Sequence, residues 1–298
     1  MEPNSLTLAL ALAGVPQIFV SCVECFQYIQ FGREFEGALQ INLCKLEAAE
    51  MRLTRWGRAM GINGATKKLS EHDYAEDDII KAYRWLEQIR CAFDETEKTS
   101  ERYRDTRTAK DRNNAKLQIL DKGTQTTDPA DNILSSLRTS IHRVNEERVQ
   151  IRKRDRVAWA LYRKGHFETL LETINDLISD LVELFPGAVD EQKRLCRDEE
   201  VQGLNAGELQ ALDGILGREL EDDVFKDVLG ELTLARPDSN LFFDIHVQDH
   251  FRGHFGDHFG EAERSRAGVY AKVRVGGSAV AHFGGNFSVS PKASGLGD

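Results

Sequence analysis

The chain has 298 residues, 41% hydrophobic and 30% charged, which supports one sizeable core plus a further segment and excludes disorder throughout. A formal net charge of -10 excludes a dedicated nucleic-acid binder, because phosphate contacts need a clustered basic surface. Five cysteines, with Cys22-Val-Glu-Cys25 as their one close pair, make no disulfide framework, and with Cys44, Cys91 and Cys196 alone no zinc knuckle is completed; a reducing cytosol and a packing role follow.

The first predicted element is a helix. Residues 3–23 hold no charged side chain, and at about 1.5 Å per residue their length approaches the roughly 30 Å of a bilayer's hydrocarbon. A signal peptide needs a basic start, whereas the only early charge is Glu2. Pro16 and Gln17 at its middle, and no flanking Lys or Arg, argue against a constitutive span. Two settings remain: a buried bundle helix, apolar on nearly all sides, or a segment that exchanges core for lipid. Its candidate inserting residues are Leu6, Leu8, Leu10, Leu12, Val15, Ile18 and Phe19.

Helical spacing then dominates to about residue 235. Leu39, Leu43, Leu46, Leu53, Trp56 and Met60 form one stripe, and Ile79, Tyr83, Leu86, Ile89 and Phe93 another. A long helix is expected from Ile133 through Arg163, with Leu134, Leu137, Ile141 and Val144 inward. The basic run Arg148 to Arg156 reads as its solvated face, or more weakly as a patch for anionic lipid headgroups. Phe167, Leu170, Leu171, Ile174, Leu177, Ile178, Leu181 and Phe185 give the cleanest stripe, stopped by Pro186-Gly187. Strand-like alternation is absent here, so the fold class is all-α: an antiparallel helical bundle over 1–235, with 123–128 as its clearest linker. No phosphate-cradling glycine loop, HExxH or Gly-x-Ser-x-Gly elbow is present, so the chain reads as no enzyme, with no cofactor or metal.

Four words in this half carry a resemblance: Cys22-Val-Glu-Cys-Phe-Gln-Tyr-Ile-Gln-Phe-Gly-Arg33, Arg52-Leu-Thr-Arg-Trp-Gly57, Lys98-Thr-Ser-Glu-Arg-Tyr103 and Val157-Ala-Trp-Ala-Leu-Tyr162. Together they resemble the HeLo domain, the prion-inhibition and propagation domain of filamentous fungi, from roughly residue 8 to residue 230. The resemblance implies a cytoplasmic bundle that executes regulated cell death of the heterokaryon-incompatibility type, its N-terminal segment leaving the core to permeabilise the plasma membrane. It further implies a tail that converts to amyloid when templated, by other copies or by a fungal nucleotide-binding-oligomerisation-type receptor with a matching motif. A non-lytic adaptor or inhibitor is the alternative in the same fold.

After Arg236-Pro237 the composition shifts: residues 238–298 hold ten of the 24 glycines, seven of the 15 phenylalanines and five of the eight histidines. That glycine load disfavours helix and predicts a flexible tail, 236–298. His254-Phe255-Gly256-Asp-His-Phe259 is echoed 28 residues later by His282-Phe283-Gly284-Gly-Asn-Phe287. Val269, Ala271, Val273 and Val275 alternate with polar residues as in a strand, Gly276-Gly277-Ser278 supplies a turn, and Ala279, Ala281 and Phe283 resume the alternation. The expectation is an amyloid motif over about 250–287, pairing between chains at about 4.7 Å spacing. Competing readings are a disordered linker, a small hairpin added to the bundle, or metal binding through His246, His250, His254 and His258, spaced by four.

Overall fold

The computed structural model describes residues 3–62, 74–108, 119–120, 129–149 and 158–235, and within the tail 239–243, 246–247, 252–255, 258–259, 267–271, 274–275, 278, 280–283 and 286–287. Side chains are described from Ala13 to Leu232 within these stretches, except at 107, 108 and 129; of the tail strands only the backbone is described. The loop expected at 123–128 lies outside the described residues.

The N-terminal segment, uncharged as far as Val23, is the helix α1 (Pro3–Gln27), followed by the short strand β1 (Ile29–Phe31), a 3-10 stretch (Arg33–Ala38) and α2 (Leu39–Ala59). Next come α3 (Glu76–Thr108) and α4 (Pro129–Arg148), the strand β2 (Trp159–Leu161) and α5 (Lys164–Leu184). The end of the bundle is built from α6 (Val189–Leu195), α7 (Ala206–Leu212) and α8 (Asp223–Ala235). Two π-helical stretches, Cys196–Val201 and Asp213–Glu219, extend α6 and α7. A Pro186–Ala188 turn follows α5, where Pro186 stops the helix as the sequence indicates. The predicted stripes close one core: Leu43, Leu46, Leu53, Trp56, Ile79, Leu86, Ile89, Phe93, Ile174 and Leu181 are all buried in it, with Tyr83 and Leu171 packed partly buried at its edge. The bundle is all-α in class, α1 lying on α3, α2 on α4 and α3 on α5.

Two expectations fail in the bundle. The helix expected to run to Arg163 ends at Arg148, and its continuation is β2, which pairs in parallel with β1: Ile29 opposite Trp159, Phe31 opposite Leu161. Trp159 and Leu161 are therefore strand residues, buried where β2 packs against α3 and α5. The basic run is not a solvated helix face at its described end either, since Arg148 is 2% exposed; residues 150–157 lie outside the described residues.

In the tail, β3 (Ser239–Phe243), β4 (His246–Val247), β5 (Arg252–Phe255) and β6 (His258–Phe259) form a first series. A second consists of β7 (Ala267–Ala271), β8 (Arg274–Val275), β9 (Val280–Phe283) and β10 (Asn286–Phe287). Each strand of the first series pairs in parallel with its counterpart in the second, always at an offset of 28 residues: Ser239 with Ala267, His246 with Arg274, Arg252 with Val280, His258 with Asn286. These are two stacked rungs. The hairpin reading is thereby corrected, because partners joined by a tight turn run antiparallel and these run parallel. The pairing expected between chains is preceded by one the sequence reading did not include, since each rung finds its first partner within the chain.

Candidate functional site

Three features converge on α1, α2 and the tail. The first is the seat of α1. Within its described part the helix is one-sided at its start, Val15 and Phe19 buried while Ala13 and Gln17 face solvent, and enclosed at its end, where Cys22, Val23, Glu24, Cys25 and Phe26 are all buried. The four-residue step from Val15 to Phe19 keeps that pair on one face. Phe19, 0% exposed, lies over Gly57 of α2, where an added Cβ would stand 2.9 Å from its Cε1 and closer still to two further ring carbons. The Trp56 ring flanks it at 6.2 Å between centroids. Towards α3 the arrangement is reversed: Gly14 of α1 takes the Tyr83 ring, whose Cε2 would lie 2.7 Å from a Cβ there. The Cys22 thiol donates to the Leu86 carbonyl of α3 at 3.0 Å, and Phe26 meets Phe93 edge to face at 4.8 Å. Of the residues expected to insert in lipid, Val15 and Phe19 are thus core residues at rest and Ile18 is partly buried against them. The side chains of Leu6, Leu8, Leu10 and Leu12 lie outside the described residues. Among the described residues no helix is long and apolar enough to cross a membrane.

The second feature was missed in the sequence. One turn along α2 from Gly57, the buried Arg52 and Arg55 face carboxylates from the end of the bundle, and Arg148 at the end of α4 joins them. Arg55 Nη1 bonds Glu200 Oε2 at 2.8 Å, and its Nη2 pairs with Asp222. Arg148 Nη1 reaches Glu200 Oε1 at 2.8 Å while its Nε reaches Glu199 Oε2 at 2.7 Å. Arg52 Nε lies 3.6 Å from Asp222 Oδ2, and Nη1 donates to the Leu220 carbonyl at 3.1 Å. Asp222 also accepts the Phe225 N–H at 3.3 Å, capping α8. Burial opposes the Asp222 charge, yet Arg55 and Arg52 beside it hold its carboxyl below the usual carboxylate range. Burial likewise disfavours the Arg55 charge, and Asp222 and Glu200 hold the guanidinium above its ordinary value. At Arg52 burial prevails and the value falls. Three cations facing three carboxylates is the arrangement a low-dielectric interior tolerates. The only sequence signal for it is Arg52-Leu-Thr-Arg, two cations on one face of an otherwise buried helix.

The third feature is the tail stack. His254 and Phe255 stand in β5 opposite His282 and Phe283 in β9, and Phe259 in β6 opposite Phe287 in β10. Val269 lies in β7 and Val275 in β8; Gly256, Val273, Gly276, Gly277 and Gly284 lie outside the described residues. The rung partners of Val269 and Val275 are Leu241 and Val247, upstream of the expected motif boundary. The signal was the same 28-residue offset carried further back, to Leu241/Val269 and Phe242/Tyr270, where similar rather than identical residues align. Of the four histidines proposed for metal, His246, His254 and His258 sit in separate strands of the first rung and His250 lies outside the described residues. Among the described residues no group of three His, Cys, Asp or Glu side chains is placed to hold a metal ion.

The four words of the sequence meet in this geometry. The first holds α1's end and β1, the second the Arg cluster and the Gly57 seat, and the fourth β2; Tyr103 of the third faces Tyr162 of the fourth at 6.4 Å, under the Arg163 guanidinium at 5.2 Å. The prion-inhibition and propagation (HeLo) family matches residues 7–214. Heterokaryon incompatibility proteins S and s of Podospora anserina are each 27% identical, over 178 and 183 residues. Those matches cover 58% and 60% of this chain but only 56% and 57% of the relatives, little more than half their length. The solved HET-S N-terminal domain superimposes with a TM-score of 0.60 at 22% identity, covering 76% of this chain and 98% of that domain. A doubly substituted HET-s N-terminal domain does so with the same TM-score, covering 73% of this chain.

Proposed function

The chain belongs to the HeLo family of prion-inhibition and propagation domains, and on that premise we propose that it is a non-enzymatic cell-death protein of the heterokaryon-incompatibility type, switched by templated stacking of its tail. The observation that carries the reading is the constant 28-residue parallel register of the tail. Two rungs of equal length leave unpaired backbone edges above and below, and an identical chain satisfies both at the same spacing of about 4.7 Å. Stacking would satisfy backbone groups in every added copy, so the tail propagates by self-association. A receptor of the nucleotide-binding-oligomerisation type with a matching motif would serve as the first template.

The output runs through α1. Bundles collected on one fibril are concentrated and crowded, which favours the open state of α1 over its seat on Gly57 and Tyr83. The freed segment, uncharged from residue 3 to 23, then enters the plasma membrane from a cytoplasmic resting state. Pro16 and Gln17 in the middle of that segment favour a second reading, a non-lytic adaptor or inhibitor that shares the templating but not the lysis.

Liposome leakage separates them. Full-length protein mixed with dye-loaded vesicles should release dye only after tail fibrils are added, and Ala11→Lys should abolish release while leaving fibril formation intact, since a central lysine costs about 2.5–3.5 kcal/mol in a bilayer. Seeded fibrils without leakage establish the adaptor; leakage that survives Ala11→Lys removes α1 from the mechanism.

A further inference from the structure

A groove of about 260 Å³ opens between α3 and α5. Its polar walls are Glu95, Thr96 and Thr99 on one side and His166, Thr169 and Thr173 on the other, with Ala92 and Leu170 completing the lining. Each helix contributes residues at steps of three, four and seven, so each wall is a single helical face about 10.5 Å long. These walls are rich in acceptors. The Thr96, Thr99 and Thr173 hydroxyls each donate to the carbonyl four residues earlier, at 2.8 Å, which leaves their lone pairs for a ligand. Among the described residues the Glu95 carboxylate has no ion-pair partner, and the buried His166 Nδ1 has no hydrogen-bond partner. No Lys or Arg lines the groove. Beside it, the exposed face of α5 carries Glu168, Glu172, Asp176 and Asp180, spaced by four and likewise unpaired among the described residues. Like charges at that spacing repel, so the ridge favours a cation nearby.

We propose that this groove binds a linear aliphatic polyamine. An alkylammonium head carries three donors and no acceptor, the complement of a carboxylate, threonine oxygens and a neutral imidazole nitrogen. Its methylene stem suits the apolar remainder of the lining, which is Ala92, Leu170 and the threonine methyls. Other ligand classes fit less well. A hard divalent cation would find one carboxylate where several oxygen ligands are needed. An anion would meet Glu95 and the ridge with the wrong sign, and a neutral sugar would leave their charge unmatched. The ridge raises the local concentration of a polycation at the groove's edge. Bound there, the cation bridges α5 to α3, on which α1 lies, so occupancy stabilises the resting bundle by mass action. Nothing in this site depends on the tail.

Calorimetric titration of the full chain with spermidine distinguishes a site from diffuse attraction to an acidic protein. Glu95→Gln should weaken binding roughly tenfold, the loss of one charge-assisted hydrogen bond. Thr96→Val should weaken it with no change of charge. Glu146→Gln, which removes an equal charge from the exposed face of α4, should leave it as in wild type. Spermidine should also raise the urea midpoint of the wild-type chain and raise that of Glu95→Gln much less. Binding that all three variants weaken equally, that none of them weakens, or that magnesium chloride at matched ionic strength removes is a counterion atmosphere only and overturns the site. A chain that gives neither binding heat nor a shifted urea midpoint with spermidine overturns it as well.

Discussion

Gly57→Ala puts the seat of α1 to a test of sign. In an exposed helix interior this change stabilises by about 0.5–1 kcal/mol, because alanine loses less backbone entropy. Here the new Cβ would sit 2.9 Å from Phe19 Cε1, with two further ring carbons nearer, and the ring has nowhere to go because it is fully buried beside Trp56. Overpacking costs about 1–3 kcal/mol, and expelling the ring would forfeit the roughly 3–5 kcal/mol that a buried phenylalanine contributes. The net expectation is a loss of about 1–2 kcal/mol, read as a lower urea midpoint at unchanged slope. In a Phe19→Leu background the shorter side chain relieves the clash, so the same Gly57→Ala change should become neutral or stabilising, a coupling detectable by a double-mutant cycle. Equal or greater stability of Gly57→Ala in the wild-type background refutes the seat.

Asp222→Asn should destabilise the bundle by about 3–5 kcal/mol in chemical unfolding, since it leaves Arg52 buried without its counter-charge and Arg55 with Glu200 alone; a loss below 1 kcal/mol would show that the cluster is wetter than its burial indicates. Because the folded Asp222 carboxyl is held below its unfolded value, its contribution is complete above an unfolded pKa of about 3.9 and is lost as pH falls through the folded value. Unfolding midpoints should therefore fall with acid below about pH 4, and less steeply in Asp222→Asn. Alkylation at pH 8 should modify the exposed Cys91 rapidly and spare Cys22, Cys25, Cys44 and Cys196, all buried, with burial pushing the Cys22, Cys44 and Cys196 thiols up. After seeding, mass spectrometry should find Cys22 and Cys25 labelled ahead of Cys44, and continued protection of both in leaking samples would mean that α1 stays seated.

The amphipathic helices were legible because each writes its buried face into the sequence at a period of 3.6, as α5 does from Phe167 to Phe185. The ladder of β1 with β2 was not. Three residues cannot establish a period of two, and Trp159's partner stands 130 residues earlier. The seat of α1 was half legible: Phe19 was singled out, but its counterpart Gly57 is a hole, and the lack of a side chain leaves no pattern to read. Arg148 was misassigned because a run of cations looks solvated until the fold brings Glu199 and Glu200 to it from 51 and 52 residues away. In the tail, the repeat showed where letters coincide, at His254/His282 and Phe255/Phe283, and was lost upstream, where only size and polarity coincide.

The small ladder also sets how far α1 can travel. Tyr28 is the one residue between the helix and β1, and its carbonyl accepts the Trp159 N–H at 2.9 Å, so the chain is fastened immediately after the segment that is to move. If the ladder holds, α1 opens as a flap pivoting at residue 28, and its tip sweeps a radius of about 37 Å, the length of 25 helical residues. The body must then sit flush on the lipid for the tip to cross it. In the proposed membrane state the bundles would then stay on the face from which α1 enters, leashed at residue 28.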